Sequence, residues 1–255
     1  MWNHGGLSCG LDAAVLNVAA VRHGAALIAI DRPGIGRGES WPMSSIAQWS
    51  DTVAQVTDRL GIGAFAVAGW SGGGPYALAC AAAMPRRVRA VAVVGGIAPL
   101  VRIRQVRELG SWIDVLLILT ARWTPWLASA ALRWARRASD DELERQLRRA
   151  AGRRDVTVLA STSTPLPTAF REAVRYGPRG MIGEYRRYYG PWGFGLDNIV
   201  QPVSIWQGEQ DSWVPTSHAR RLAAALPGST LHMVAGAGHL LPLVVADEII
   251  RDLAP

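Results

Sequence analysis

The sequence predicts an α/β fold in which a mostly parallel β-sheet carries helices on both faces. Two observations predict it: short apolar runs alternate with helical patterns, and these runs are continuous rather than alternating in polarity. Continuous apolar runs are typical of strands that are buried on both faces. With 255 residues, 49% of them hydrophobic, the chain can bury the core of one large domain, which excludes intrinsic disorder.

The first part of the predicted core, residues 1–97, alternates three helices with three strands. The predicted helices cover residues 11–23, 44–60 and 73–84. The predicted strands cover residues 26–30, 64–69 and 88–94. Strands that are separated by helices imply a parallel sheet covered on both faces.

Residues 98–200 are predicted to be a helical insertion, because Arg and Trp are frequent there and no convincing strand pattern occurs. The second part of the core, residues 201–255, returns to the alternation. Its predicted elements are strands at 203–206 and 230–234 and helices at 217–226 and 240–253. An α/β core interrupted by one insertion is the simplest organisation.

The net charge of +7 comes from 27 basic residues, all of them arginine, against 20 acidic ones. Residues 98–200 contain 17 arginines and 10 acids, so the excess lies in the predicted insertion. Part of it falls in residues 139–154, where Ser139 and Glu142 form a capping box and Asp141–Arg145 and Glu144–Arg148 are i,i+4 pairs. A solvated helix face explains this charge better than a nucleic-acid site, and we expect no nucleic-acid partner.

Three absences point to a cytoplasmic protein. The two cysteines, Cys9 and Cys80, cannot build a disulfide framework, and we expect Cys9 to be a small buried thiol. Residues 1–10 lack the basic and apolar regions of a secretory signal. The most apolar stretch, residues 115–119, is far shorter than a membrane-spanning helix requires.

Gly69-Trp70-Ser71-Gly72-Gly73 matches the pattern G-x-S-x-G and lies between a predicted strand and a predicted helix. A nucleophile on so sharp a turn needs small neighbours, because the chain approaches itself closely there. The start of the following helix offers backbone N–H groups to a developing oxyanion. Ser71 is therefore the candidate nucleophile.

A serine nucleophile needs a base, and the base needs an acid to orient it. Among the five histidines, His239 lies on a loop directly after the last predicted strand, where catalytic residues concentrate. Asp211 follows the predicted strand at 203–206, and Glu209 is the alternative acid. The chain order Ser71, Asp211, His239 is the order expected of an α/β-hydrolase triad.

The sequence resembles the α/β-hydrolase superfamily, in the branch that has a helical cap between the sixth and seventh core strands. Five segments carry the resemblance: residues 4–6 (H-G-x), 31–40 (D-x-x-G-x-G), 69–73, 208–215 and 236–239. The resemblance implies that the backbone N–H groups of Gly72 and Gly6 form the oxyanion hole, with Leu7 as a substitute for Gly6. It also implies a structural rather than a catalytic role for Asp31.

A serine nucleophile argues against the epoxide hydrolases and dehalogenases of this fold, which use aspartate, and favours hydrolysis of esters or related acyl bonds through an acyl-enzyme. Neither a metal nor a cofactor is implied, and the expected partner is a small acyl substrate. An aminopeptidase of the proline iminopeptidase kind is the alternative, with Glu172, Glu184 or Asp197 holding the substrate's amino group. A non-catalytic ligand-binding protein or an inactive fragment on the same fold is the alternative of another class.

The predicted insertion is expected to set substrate choice. Trp70 and Leu7 are the candidate pocket residues nearest to Ser71. Aromatic residues of the insertion either wall a pocket or pack the insertion against the core: Trp112, Trp123, Trp126, Trp134, Trp192, Tyr185, Tyr188 and Tyr189. The stretch 123–137 could lie on a membrane surface, but its polar face is mixed, so we expect no membrane contact.

The resemblance also implies a shortened N-terminus. Members of the superfamily carry two strands before the H-G-x segment and a third that leads into it, whereas only three residues precede His4. Ordinary strand and loop lengths predict that about 20–30 residues are missing. The strand at 26–30 would then lose its neighbour, and Gly6 would lie near a frayed terminus.

Overall fold

The computed structural model describes residues 1–161 and 164–254, and within them five parallel strands form one sheet. The strands lie side by side in chain order, and every neighbouring pair is parallel. They are β1 (Trp2–Asn3), β2 (Phe65–Trp70), β3 (Val88–Val94), β4 (Val203–Gly208) and β5 (Thr230–Val234). The predicted parallel α/β fold is confirmed.

Helices cover both faces of this sheet. Along β3, Val91 and Val93 belong to one hydrophobic core, and Ala92 and Val94 belong to a second core on the opposite face. Successive side chains of a strand point to opposite faces, so both faces are buried. Outside the region between β3 and β4, the helices are α1 (Asn17–Arg22), α2 (Trp49–Arg59), α3 (Gly74–Ala83), α11 (Thr216–Ala225) and α12 (Ala246–Leu253). Short 3-10 helices lie at Gly10–Leu16, Ser71–Gly73, Leu196–Asn198 and Leu241–Leu243.

The chain between β3 and β4 is helical, and in its described residues only an isolated bridge from Leu100 to Tyr189 has strand character. The helices of this segment are α4 (Ile103–Arg107), α5 (Trp112–Trp123), α6 (Pro125–Ala135), α7 (Asp140–Ala150), α8 (Arg153–Ser161), α9 (Leu166–Ala173) and α10 (Arg179–Tyr188). Packing of α10 against α5 and of α5 against α6 joins the segment internally.

Helix α7 begins as the sequence predicts, but one of its two predicted ion pairs is different. Ser139 Oγ accepts a hydrogen bond from the backbone N–H of Glu142. Glu144 pairs with Arg148 as expected, whereas Arg145 pairs with Glu142 and not with Asp141. A carboxylate three residues away is also a neighbour on a helix surface, so the i,i+3 partner competes with the i,i+4 partner.

The predicted strand at residues 26–30 does not form. Only Ala29 makes an isolated parallel bridge, to Trp2, and the Trp2 N–H donates to the carbonyl of Ile28. The neighbouring strand β1 has only two residues, so it can hold this edge segment at one point. The segment is not a bare apolar edge, since Leu27, Ala29 and Ile30 are partly buried against the two cores.

The first residues of the chain form part of the sheet, contrary to the expectation that no strand fits before His4 and that Gly6 lies near a frayed end. Trp2 and Asn3 pair with Ala68 and Gly69 and are both 2% exposed. The Met1 amino group donates to the Ala66 carbonyl over 2.7 Å. Two ladder residues with buried side chains are enough to fix the strand that leads to Gly6.

Candidate active site

Ser71 lies on a strained turn between β2 and α3. Its φ of +54° falls in the left-handed region, which is uncommon for a residue with a side chain and occurs at functional sites. A Cβ on Gly69 would stand 2.3 Å from the Gly73 carbonyl oxygen, and one on Gly73 would stand 2.1 Å from the Asn3 carbonyl oxygen. The glycines of the G-x-S-x-G motif are therefore required by the close approach of backbone to backbone.

Asp211 and His239 form a buried pair. His239 Nδ1 lies 2.8 Å from Asp211 Oδ2, and the two side chains are almost fully excluded from solvent. The other carboxylate oxygen of Asp211 accepts hydrogen bonds from the backbone N–H groups of Trp213 and Val214, both over 2.9 Å. These bonds fix the carboxylate, which in turn fixes the orientation of the imidazole.

The ring of His239 contacts two indoles. Trp70 stacks on the His239 ring with centroids 5.8 Å apart, and its Nε1–H donates to the His239 carbonyl over 3.1 Å. The ring of Trp213 lies 4.9 Å from the same imidazole. Burial by itself lowers the pKa of His239, but the carboxylates of Asp211 and Asp155 outweigh it and raise the pKa above its usual value.

Ser71 and His239 line the same cavity, and the structure records no hydrogen bond between their side chains. The Ser71 carbonyl accepts from the Ile97 N–H, and Gly95, two residues earlier, lies against the Asp211–His239 pair. Catalytic hydrogen bonds are often loose in the absence of substrate, so this arrangement is compatible with a nucleophile and its base.

The backbones of Gly6 and Gly72 lie close together beside Ser71. A Cβ on Gly72 would lie 3.3 Å from the Gly6 nitrogen. Within residues 1–161 and 164–254, neither N–H donates to a protein acceptor. Two unused N–H groups so close together can bind one oxyanion. Leu7, the alternative donor, has a φ of +53° and lines the cavity, as does Trp70.

The segment that carries Gly6 is held by a buried aspartate that the sequence analysis missed. Asp12 accepts hydrogen bonds from the Gly5 N–H over 2.8 Å and from Trp2 Nε1 over 2.7 Å. Burial raises the pKa of Asp12 to about 6, although these hydrogen bonds oppose the shift. The contacts of Asp12 with Gly5 and Trp2 depend on how the loop between them folds, which the sequence pattern does not indicate.

A second buried network supports the same segment from the other side. Arg32, fully buried, donates to Glu184 of α10 over 2.5 Å and to the carbonyls of His4 and Gly5 over 2.8 and 3.1 Å. Tyr188 donates to the second oxygen of Glu184 over 2.8 Å. Burial, and secondly the Arg32 charge, hold the pKa of His4 well below its usual value, so His4 is neutral.

Asp155, on helix α8, holds the loop that carries His239. Its carboxylate accepts from the His239 N–H over 2.9 Å and from the Leu240 N–H over 2.8 Å, and its side chain is fully buried. A Cβ on Gly238 would lie 2.4 Å from this carboxylate, so glycine is needed there. Sequence reasoning missed Asp155 because 84 residues separate it from its partner.

Replacing Asp155 with alanine is expected to lower kcat by about 10²-fold with little change in KM, because the histidine loop loses two hydrogen bonds. Asp155→Asn keeps one acceptor and is expected to lose less. Both variants remove a negative charge that raises the pKa of His239, so the acid limb of the pH–rate profile moves to lower pH. The measurement is the pH–rate profile of both variants.

Asp140→Ala provides the matched control for Asp155→Ala. Asp140 is an exposed carboxylate in the same helical segment and, among the described residues, forms an ion pair only with Arg171 at the surface. The positioning role of Asp155 would be contradicted if the acid limb of the pH–rate profile did not move in Asp155→Asn and kcat did not fall in Asp155→Ala.

The cavity at Ser71 has a volume of about 330 Å³ and a mostly apolar lining. Of the aromatic residues named from the sequence, Trp112 and Trp134 line it, together with Trp213 and Phe170. Trp192, Tyr185 and Tyr188 are instead buried in the packing between helices and core. Some of these aromatic residues therefore line the cavity, and others pack the helices against the core.

None of the three carboxylates considered for an aminopeptidase lines this cavity. Glu184 is bound to Arg32 and Tyr188, Glu172 pairs with Arg37 and Arg175 at the surface, and Asp197 is exposed. Among the described residues, the carboxylate that lines it is that of Asp114, which accepts a hydrogen bond from Tyr185 over 2.5 Å.

The remaining candidate nucleophiles and ligands are few. Cys9 is buried, as expected, and so is Cys80. Burial raises the pKa of both thiols to about 12, which leaves them protonated at neutral pH. Among the described residues, no group of three or more His, Cys, Asp or Glu side chains is placed to hold a metal ion.

A family model described as "alpha/beta hydrolase fold" matches residues 2–244 of the chain. Among curated proteins, the chain is 29% identical over 252 residues to the dihydrolipoyllysine-residue acetyltransferase component of the acetoin cleaving system of Cupriavidus necator. That alignment covers 93% of this chain but 58% of the Cupriavidus protein, so the chain spans little more than half of that relative.

Solved structures with the same fold include a bromoperoxidase from Bacillus anthracis, with a TM-score of 0.75 and 18% identity. The superposition covers 98% of this chain and 89% of the bromoperoxidase. An enol-lactonase from Burkholderia xenovorans has a TM-score of 0.67 and 18% identity, over 99% of this chain and 89% of its own. At 18% sequence identity, the similarity to these two structures shows a shared fold and nothing more.

Proposed function

The chain belongs to the alpha/beta hydrolase family, and on this premise we propose that it is a serine hydrolase of carboxylic esters or related acyl bonds. Ser71 is the nucleophile, His239 the general base and Asp211 the residue that orients the base. The observation that carries the proposal is that a strained Ser71 and His239 line one cavity, and that His239 is paired with the buried carboxylate of Asp211. Strain at a non-glycine residue is costly and is retained where function requires it.

In the proposed reaction, His239 Nε2 takes the Ser71 proton as the hydroxyl oxygen attacks the acyl carbonyl carbon. Asp211 accepts from Nδ1–H and stabilises the imidazolium that forms. The N–H groups of Gly6 and Gly72 bind the oxyanion. The imidazolium returns its proton to the leaving alcohol, and water then hydrolyses the acyl-enzyme with His239 as base again.

The apolar lining of the cavity favours an acyl group without charge. We further infer that residues 98–200 form a cap that sets this preference, since α5, α6 and α7 supply much of the lining. An aminoacyl substrate fits less well, because the three carboxylates suggested for its amino group lie elsewhere.

A substrate panel tests the reaction class. We expect turnover of p-nitrophenyl esters of short and medium acyl chains, and no turnover of aminoacyl arylamides. Ser71→Ala serves as the control for non-enzymatic hydrolysis. Preferential cleavage of the arylamides would instead support the aminopeptidase, with Asp114 as the residue to examine.

We expect kcat/KM to rise with pH through a single ionisation. The pKa of that ionisation should lie above the usual histidine value of about 6.5. Only neutral imidazole can accept the Ser71 proton, so activity is absent below the pKa of His239 and present above it. That pKa is raised, net of burial, by Asp211 and Asp155, and the rate should therefore still be climbing at pH 6.5. A rate that is flat from pH 5 to pH 8 would contradict His239 as the base.

A further inference from the structure

Helices α5 and α6 form a hairpin whose outer face exposes four tryptophans. The two helices pack against each other and are joined at Thr124. More than half of each indole-bearing residue is exposed, from 54% to 69%: Trp112, Trp123, Trp126 and Trp134. Leu116 and Leu127 are exposed beside them. An exposed apolar patch of this kind marks a surface that binds something.

The exposed residues follow the faces of the two helices and border the Ser71 cavity. On α5, Trp112, Leu116 and Trp123 are four and seven residues apart and share one face. Trp112 and Leu116 of α5 and Trp134 of α6 also line the cavity. Residues that are both exposed and cavity-lining form its mouth, so the cavity opens through the tryptophan face.

The hairpin carries positive charge almost without compensation. Its one acidic residue, Asp114, is half-buried and accepts a hydrogen bond from Tyr185. The two arginines of the hairpin and the two that directly follow α6 are all exposed and, within the described part of the chain, pair with no carboxylate: Arg122, Arg133, Arg136 and Arg137.

A basic cleft of about 770 Å³ adjoins the C-terminal end of α5. Trp123 packs on Tyr189, with centroids 5.7 Å apart, and Tyr189 lines the cleft. No carboxylate side chain lines it. Four arginines do: Arg122, Arg179, Arg186 and Arg187. The apolar face therefore continues into a concave surface suited to phosphate groups.

We propose that the α5–α6 face, with the adjoining basic cleft, docks on a lipid bilayer surface of net negative charge. Indoles are favoured at the boundary between headgroups and acyl chains, and arginines are attracted to anionic headgroups. The mouth of the Ser71 cavity then faces the bilayer. The further step, that acyl substrates reach Ser71 from the lipid phase, rests on the proposed function.

A second copy of the chain is a poorer occupant of this face than a bilayer. In a two-fold dimer the same patch meets itself. The arginines of the two hairpins would then lie against each other without acidic partners, which is unfavourable. No helix of the described residues is long and apolar enough to cross a membrane, so the proposal concerns contact with one surface of the bilayer.

The proposal departs from the expectation of no membrane contact. That expectation rested on the mixed polarity of residues 123–137. The structure places Trp126 and Trp134 in solvent and buries Ala128 and Leu132 towards the core, which the one-dimensional pattern could not show.

Cosedimentation with vesicles tests the docking surface without using activity. The 255-residue chain carrying Ser71→Ala is mixed with vesicles of phosphatidylcholine alone or of equal parts phosphatidylcholine and phosphatidylglycerol. We expect binding to the anionic vesicles, much weaker binding to the neutral ones, and loss of binding as salt is raised. Because Ser71→Ala is used, failure of the proposed hydrolase function leaves this result unaffected.

Two variants with matched controls locate the contact. Trp126 lines neither the Ser71 cavity nor the basic cleft, and Trp126→Ser is expected to weaken binding to anionic vesicles about tenfold. Tyr176 is also an exposed aromatic residue but lies outside the hairpin, and Tyr176→Ser is expected to leave binding unchanged. The double variant Arg136→Gln with Arg137→Gln should weaken binding by a similar factor. Its control is the double variant Arg86→Gln with Arg89→Gln, two exposed arginines outside the hairpin, which should bind as before.

Equal sedimentation with both vesicle types, or equal effects of test and control variants, would overturn the proposal. A concentration-dependent dimer that Trp126→Ser dissociates, together with no vesicle binding, would assign the face to a second copy instead.

Discussion

Ser71→Ala is expected to abolish hydrolysis, with kcat reduced by a factor on the order of 10⁵–10⁶. In the proposed mechanism the hydroxyl oxygen forms the acyl-enzyme, and the two cysteines are buried with their pKa raised by burial, so neither is expected to replace it. Initial rates on the best p-nitrophenyl ester of the panel measure the loss. Circular dichroism and thermal melting of the variant establish that its fold is retained.

His239→Ala should cost about as much as Ser71→Ala, because nucleophile and base act as a unit. Asp211→Asn should cost somewhat less, since the backbone donors of Trp213 and Val214 still find an oxygen at that position. Thr216→Ala, at the start of α11, is a control outside the cavity. Wild-type turnover by Ser71→Ala would remove Ser71 from the mechanism.

Arg32→Ala is expected to destabilise the protein by about 3–5 kcal/mol, the largest effect on stability that we predict. The substitution leaves the Glu184 carboxylate buried without its cation and leaves the carbonyls of His4 and Gly5 without a donor. Urea unfolding at constant m-value measures the loss. Since those carbonyls directly precede Gly6 in the chain, the folded variant should also have a lower kcat.

The double variant Arg32→Met with Glu184→Gln distinguishes an uncompensated buried charge from a simple loss of packing. Removing both charges should recover part of the stability lost in Arg32→Ala. Arg171→Ala breaks an exposed ion pair with Asp140 and should cost less than about 1 kcal/mol. A double variant no more stable than Arg32→Ala would contradict the charge argument.

The strands that the sequence predicts best are apolar runs that have a partner strand along most of their length. Strands β3 and β5 begin and end where the apolar runs do, because these strands have sheet neighbours or packed faces along their whole length. The run at residues 26–30 is more apolar than either of these strands but has a neighbouring strand of only two residues. An apolar run becomes a strand only when a partner is present, and a sequence pattern does not contain that information.

The residues of the candidate site are also of two kinds: those that a sequence pattern indicates and those that only tertiary packing brings together. The proximity of Asp211 to His239, and of His239 to the Ser71 cavity, could be predicted because each of the three residues follows a strand in a segment of characteristic composition. Asp12, Asp155 and the Arg32–Glu184 pair could not, because their partners are selected by tertiary packing. Arg32 and Glu184 are 152 residues apart in the chain.

Labelling with a fluorophosphonate probe is the measurement that tests the central claim most directly. The probe forms a covalent bond only with an activated serine oxygen, so its reaction reports the nucleophile independently of the natural substrate. We predict that intact mass spectrometry shows one adduct on the native protein and that peptide mapping places it on Ser71. Ser71→Ala should remain unlabelled, and His239→Ala should be labelled far more slowly. A native protein that stays unmodified while folded, or an adduct on another residue, would contradict the account.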